Sequence, residues 1–173
     1  MTIKLVKPSL EYAQEIMAYR QEFLISGDSM DGCGNLEDCE TAEEWIKNNE
    51  LYSHHETCPS DKVPSDKYLA VSLENNKVVG IIDFRHHIDH PILSVWGGHI
   101  GYSVRPSERR KGYATEMLRL NLQECKKHGL HKVLITCNQD NIGSKKTILA
   151  NGGVFEKYVE VDNKIIERYW IYL

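Results

Sequence analysis

The stretch Arg109-Arg110-Lys111-Gly112-Tyr113-Ala114-Thr115 is where residue types and spacing converge on one chemistry. Three cationic side chains precede a glycine, and a patterned run follows. A glycine at a helix entrance lets the backbone turn tightly and approach a ligand closely. The first N–H groups of a helix have no partner inside it. Those groups, the positive end of the helix dipole and the three cations predict an anion site, and a pyrophosphate fits it. Two plainer readings compete: a solvated basic loop and a nucleic-acid patch. A net charge of -4 and the lack of aromatic residues interleaved with the basic ones argue against the second.

The elements that must position this loop stand on either side of it. Ile100 to Val104 is β-branched and aromatic and reads as a strand, which Pro106 keeps short. Beyond the polar run Arg105 to Lys111, Ala114, Met117, Leu118, Leu122 and Cys125 fall on one stripe of a 3.6-residue period, and Gly129 stops that helix. A further strand, Lys132 to Cys137, leads to Asn138 and the spacing Asn141-x-x-Ser144. A helix then runs to about Asn151, where Gly152-Gly153 ends it.

This arrangement resembles the acyl-coenzyme A pyrophosphate loop of the GNAT superfamily of N-acetyltransferases. Arg109, Gly112 and Ala114 occupy its three defining positions. The run Gly101-Tyr102-Ser103-Val104-Arg105-Pro106 and the Asn141-x-x-Ser144 spacing carry the resemblance over residues 66 to 160, and more loosely over nearly the whole chain. It implies an α/β fold with a mixed α+β sheet of about seven mostly antiparallel strands, splayed between the fourth and fifth and flanked by about four helices. It implies acetyl-CoA as donor substrate, with the pantetheine arm in the splay against the backbone of Tyr102, Ser103 and Val104. The pyrophosphate would lie on Arg109, Arg110, Lys111, Gly112, Tyr113, Ala114 and Thr115, with Asn138, Asn141 and Ser144 near the arm or the thioester.

The resemblance further implies direct acetyl transfer, without a metal, to a primary amine of a small molecule or peptide. His99, at the start of the central strand, is the candidate general base; the competing reading is a space-filling histidine beside Gly97 and Gly98. There is one departure. Many members carry a tyrosine four residues after the serine, and here that position is Ile148. Either Ser144, Tyr158 or Tyr169 then serves as the acid, or the thiolate leaves unaided, as a pKa near 8.5 permits. A non-catalytic CoA-binding or sensory module is the alternative this departure favours.

The rest of the chain reads as support. At 173 residues it suits one domain, 1–173. No run approaches the roughly 20 apolar residues of a membrane span, and MTIKLVKPSL is too short an apolar start for a signal peptide. The expectation is a cytoplasmic protein with no nucleic-acid or membrane partner, and a homodimer is left open. Thr2 to Val6 alternates as an edge strand. Ser9 is a good N-cap for a helix over 10–25, with Ala13, Ile16, Met17 and Leu24 as its buried stripe.

The Gly-, Asp- and Ser-rich run that follows reads as a surface loop. Under the resemblance it borders the acceptor pocket, with Tyr19, Arg20, Glu22, Asp28 and Asp31 as candidate contacts. Thr41 and Glu44 form a capping box before Trp45, Ile46 and Leu51. Tyr68 to Leu73 and Lys77 to Phe84 make a hairpin about Asn75-Asn76, and Val154 to Val161 with Ile165 to Leu173 make a second. Gly80 marks a bulge or a place where a neighbour needs room. Cys125 and Cys137 read as small buried hydrophobes. Cys33, Cys39, His54, His55 and Cys58 match no common zinc spacing. The cluster His86, His87, Asp89 and His90 reads as a polar loop.

Overall fold

Two apolar layers, one on each face of a four-stranded sheet, organise the chain. The computed structural model describes residues 2–173. Its elements in order are β1 (Ile3–Val6), α1 (Ala13–Ser26), α2 (Ala42–Tyr52), β2 (Ser65–Ser72), β3 (Val78–Arg85), β4 (Ile100–Val104), α3 (Tyr113–His128), β5 (Lys132–Asn138), α4 (Ile142–Ala150), β6 (Val154–Val161) and β7 (Lys164–Tyr172). The strands form two antiparallel sheets, β1-β2-β3-β4 and β5-β7-β6. This is the α/β arrangement of seven strands and four α-helices that the resemblance implied, with the strands divided between two sheets.

The middle strands are apolar on both sides because both sides are covered. Ala70, Val79, Ile82 and Phe84 pack with Met117, Leu118 and Cys125 of α3. Leu69, Val71, Val78 and Ile81 pack with Ile16, Tyr19 and Phe23 of α1 and with Trp45 of α2. Alternation along a strand delivers successive side chains to opposite layers. Gly80 answers to both readings: the register slips beside it, with Ala70 opposite Gly80 and Val71 opposite Val78, and a Cβ there would stand 2.7 Å from the Met117 sulfur and 3.1 Å from the Ser103 carbonyl.

Several expectations are corrected. The buried stripe of α1 is Ile16, Tyr19 and Phe23, and it continues back to Tyr12 in a preceding 3-10 turn. Leu24 is exposed, because the 12-16-19-23 spacing sets the inward face. Ser9 makes no capping hydrogen bond with its side chain. The run after α1 is a surface loop anchored from within: most of its residues are exposed, while Cys33, Leu36 and Cys39 are fully buried in the second layer. The Trp45 indole N–H donates to the Cys33 carbonyl at 2.7 Å, the polar partner a buried indole requires. Thr41 accepts from the Glu44 N–H at 3.2 Å, while the Glu44 carboxylate returns to Glu40 rather than to Thr41. Leu51, placed with Trp45 and Ile46, is exposed.

The two sheets meet where β4 and β5 begin. The His99 N–H donates to the Leu134 carbonyl at 2.8 Å, and the Leu134 N–H donates to His99 Nδ1 at 2.8 Å. Beyond this junction no ladder joins β4 to β5 among the described residues.

Candidate active site

Where the two strands part, β4 is left with backbone groups that no strand pairs. The Arg85 N–H donates to the His99 carbonyl and the Arg105 N–H to the Val79 carbonyl, with Ser103 opposite Ile81. Residues along an antiparallel ladder alternate between bonding across and facing away. The N–H and C=O groups of Tyr102 and Val104 therefore turn toward the gap. A cavity of about 840 Å³ occupies it, walled by Tyr102, Ser103 and Val104 on one side and by Asn141, Ser144 and Thr147 on the other.

The mouth of this cavity is the glycine loop. Gly112 caps α3 with φ 85°, and Arg110 also has a positive φ, 61°. The turn directs the first amides of α3, at Tyr113, Ala114 and Thr115, toward the cavity these residues line. Arg109 and Arg110 line it too. Lys111 is not brought to it: its ammonium lies 2.8 Å from Glu108, which also holds Lys77 at 2.7 Å. Arg109 is tethered at 2.6 Å to Asp28 and at 3.2 Å to the Val104 carbonyl. That bond and the nearby positive charge hold the Asp28 carboxyl below its usual range.

On the α4 side, the Asn141 side chain accepts from the Ser144 N–H at 3.1 Å and caps the helix. Asn138 sits one turn earlier, accepting from the Asn141 N–H at 2.9 Å, and shapes the turn without lining the cavity. The Ser144 hydroxyl stands 2.7 Å from the Tyr102 phenol. Burial pushes that phenol up to about 12, against a smaller lowering by the Ser144 hydrogen bond. A tyrosine is therefore present at the cavity, supplied by β4 instead of the helix position held by Ile148, whose side chain is fully buried. Sequence spacing gives no signal for this, because the pair is 42 residues apart.

His99 does not have the geometry of a base. Its Nδ1 accepts the Leu134 N–H, so in the neutral ring the proton resides on Nε2 and no nitrogen is free to accept another. Burial first, then Arg85 and His87, lower its pKa to about 4. It is the histidine that fastens the two sheets. Tyr158 lies on exposed β6, and Tyr169 donates to Glu167 at 2.6 Å in the interior, so neither reaches the cavity.

The predicted acceptor contacts divide. The Tyr19 phenol is fully buried, bonded to the Ser103 carbonyl at 2.9 Å and hydroxyl at 2.8 Å. Arg20 donates to the Leu36 and Glu37 carbonyls. Glu22 holds Arg105 at 2.7 Å and the Ser107 N–H at 3.1 Å. These three are structural, Asp28 serves Arg109, and Asp31 lines the cavity.

A second cavity, of about 400 Å³, was not foreseen. It lies beneath Gly34 and Asn35, between α2 and the end of β3, and its wall includes Asn49, Lys67, Asp83 and Arg85. The run from Asp31 to Gly34 separates the two cavities, because Asp31 lines the first and Gly34 the second. Asp83 is the link on the β3 side: its Oδ1 accepts at 3.1 Å from the N–H of Gly101, the neighbour of Tyr102.

Cys33 and Cys39 are buried among apolar groups, and burial pushes the Cys33 thiol up to about 12. His86 leaves its loop cluster and joins Asp66 at 2.9 Å and the His128 ring at 4.1 Å. Lys7 completes that group at 2.7 Å from Asp66, supplying the cation the carboxylate needs.

A family model described as an acetyltransferase (GNAT) domain matches residues 4–154. The chain belongs to the GNAT acetyltransferase family. Solved structures share its fold. The microcin C7 self-immunity acetyltransferase, in complex with acetyl-CoA and AMP, superposes with a TM-score of 0.69 at 20% identity, covering 99% of this chain and 92% of that one. The acetyltransferase of Salmonella typhimurium that modifies the N-terminal serine of ribosomal protein L7/L12 gives 0.67 at 17%, covering 100% and 96%. A spermidine N-acetyltransferase chimera of Vibrio cholerae and human sequence gives 0.65 at 13%, covering 99% and 95%. No curated protein sequence matches this GNAT chain. No helix among its described residues is long and apolar enough to cross a membrane.

Proposed function

We propose that this GNAT enzyme transfers an acetyl group from acetyl-CoA directly to a primary amine. The observation that carries the reading is the gap after the His99–Leu134 junction, which opens on the Gly112 loop at one end and runs past the Tyr102–Ser144 pair. The pyrophosphate would sit on the amides of Tyr113 to Thr115 with Arg109 and Arg110 beside it. The amides of the pantetheine arm would take up the backbone groups of Tyr102 and the N–H of Val104, whose carbonyl already accepts from Arg109, as an added strand would.

The amine must arrive neutral, form a nitrogen–carbon bond to the thioester carbonyl, and lose a proton as the carbon–sulfur bond breaks. The oxyanion is stabilised by a gap-facing backbone N–H of β4. The departing thiolate receives a proton from Tyr102, with Ser144 holding the phenol in place, and the proton leaving the nitrogen restores the phenol. A phenol at the cavity, on Tyr102 rather than at position 148, supports the catalytic reading over a non-catalytic module. The acceptor enters from the second cavity, where Asp83 is the one carboxylate in the wall; it faces the incoming ammonium and takes its proton.

The test is thermal stability with and without acetyl-CoA. Ligand at a hundred times its dissociation constant stabilises by about 2.7 kcal/mol. Gly112→Asp, which puts a side chain and a like charge where the pyrophosphate sits, is expected to remove that gain while the unliganded protein still melts cooperatively. No gain in the parent protein, or an undiminished gain in Gly112→Asp, would overturn the donor site.

A further inference from the structure

The second cavity has more cations and donors than its own residues use. Lys67 is 7% exposed, yet its ammonium stands 3.8 Å from Asp83, beyond hydrogen-bonding distance. The Arg85 guanidinium is 3.6 Å from the same carboxylate, and its contact with the Gly98 carbonyl is a long 3.4 Å. Asp83 in turn has one oxygen engaged by the Gly101 N–H. Two cations thus share a single carboxylate, and Lys62 adds a third positive charge to the lining. The Asn49 side-chain amide nitrogen, in the same wall, is buried and has no hydrogen-bond partner.

A buried donor left without an acceptor costs free energy, and a buried ammonium costs more unless paired. Both costs are relieved if a ligand brings oxygen acceptors and negative charge. Gly34 keeps the space for it: with φ 58°, it would place a Cβ 2.9 Å from Lys67 Cε. The amine itself is drawn to Asp83, the remaining group of opposite sign.

On the reading that this cavity is the acceptor entrance, we infer that the acceptor is an amine carrying an anionic group, a carboxylate or a phosphate, on the same small molecule or chain end. The anion sits on Lys67, Arg85 and Asn49, and the amine points past Asp83 toward the thioester. A polycation is the poorest acceptor, because it meets three positive charges and one negative.

Matched amines test this with acetyl-CoA as donor. An α-amino acid is compared with its amide, and phosphoethanolamine with ethanolamine; these two arms separate carboxylate from phosphate. Spermidine is the polycation. The expected result is turnover of at least one anionic member, with kcat/KM about 10-fold or more above its neutral partner. Lys67→Met is expected to erase that preference while the thermal gain from acetyl-CoA stays as in the parent. A neutral amine or spermidine as the best acceptor, no turnover of any anionic amine by protein that binds acetyl-CoA, or a preference that survives Lys67→Met would overturn the inference. Absence of the acetyl-CoA gain would instead strike at the donor site, so the two failures are distinguishable.

Discussion

The Tyr102 phenol lies 2.7 Å from the Ser144 hydroxyl, so a β4 side chain and an α4 side chain close a bridge over a gap that no ladder spans. In Tyr102→Phe the phenolic proton is lost and the ring is kept. The expected outcome is a kcat lower by about 100-fold, with the thermal gain from acetyl-CoA retained. Steady-state thiol release measures the first and a melt the second. An unchanged kcat would remove Tyr102 from the chemistry. Because burial raises its pKa to about 12, the phenol keeps its proton across the neutral range. Deprotonation of Tyr102 therefore imposes no fall in kcat between pH 7 and 10.

His99 makes a prediction about stability. Its folded pKa, about 4, lies below the ordinary histidine value of 6.5, so protons bind the unfolded chain more readily. Its contribution is complete above pH 6.5 and is lost as the pH falls through 4. The whole shift corresponds to about 3 kcal/mol. Urea unfolding at pH 7 and pH 5 is expected to show the loss. In His99→Asn, whose side-chain oxygen can still accept the Leu134 N–H, the acid sensitivity should shrink and kcat should stay near the parent value. A collapse of kcat in a folded His99→Asn protein would restore the histidine as base.

Arg109 and Asp28 hold one another at 2.6 Å at the cavity mouth, and both side chains are more than a third exposed. The pair itself contributes little to stability, so its substitutions act on the donor. Arg109→Ala removes a charged hydrogen-bond donor from the phosphates and is expected to weaken acetyl-CoA about 10-fold or more. Asp28→Asn releases the guanidinium and removes a like charge, so it is expected to tighten binding. Calorimetric titration of both variants with acetyl-CoA decides, and equal affinities would place the phosphates elsewhere.

What the sequence made legible is local. The Gly112 turn, the α3 stripe and the Asn141 cap each involve residues within a few positions of one another, where periodicity and backbone freedom leave a direct trace. What was hidden depends on distance or on a residue's double nature. Tyr19 reads as polar, yet it fills the α1 face with Phe23. The run after α1 is rich in Gly and Asp, and the burial of Cys33, Leu36 and Cys39 shows once Trp45 is packed over it. His99 has a suitable chemistry for a base, and the bond to Leu134, 35 residues away, takes up its acceptor nitrogen. The second cavity joins α2 to the end of β3 and has no sequence signature at all.

The partition between the two cavities rests on a glycine. Gly32 has φ 78°, and a Cβ there would run into the Gly101 carbonyl and stand 2.9 Å from the Tyr102 Cα. The obstructing atoms are backbone, so no rotamer change relieves the clash, and the left-handed angle adds about 1–2 kcal/mol of its own. Gly32→Ala must therefore push the Asp31–Gly34 run away from β4. Asp31, Gly34 and the Cys33–Ser103 contact at 3.4 Å move with it. Acetyl-CoA depends chiefly on Gly112 and α3, on the far side of Tyr102, so its thermal gain is expected to persist. Transfer depends on the amine arriving in register with the thioester, where displacements of about 1 Å can cost about 100-fold. Gly32→Ala should accordingly lower kcat/KM for the amine far more than it weakens acetyl-CoA. Equal losses for both substrates would mean that the run does not separate two sites, and that amine and donor share one cavity.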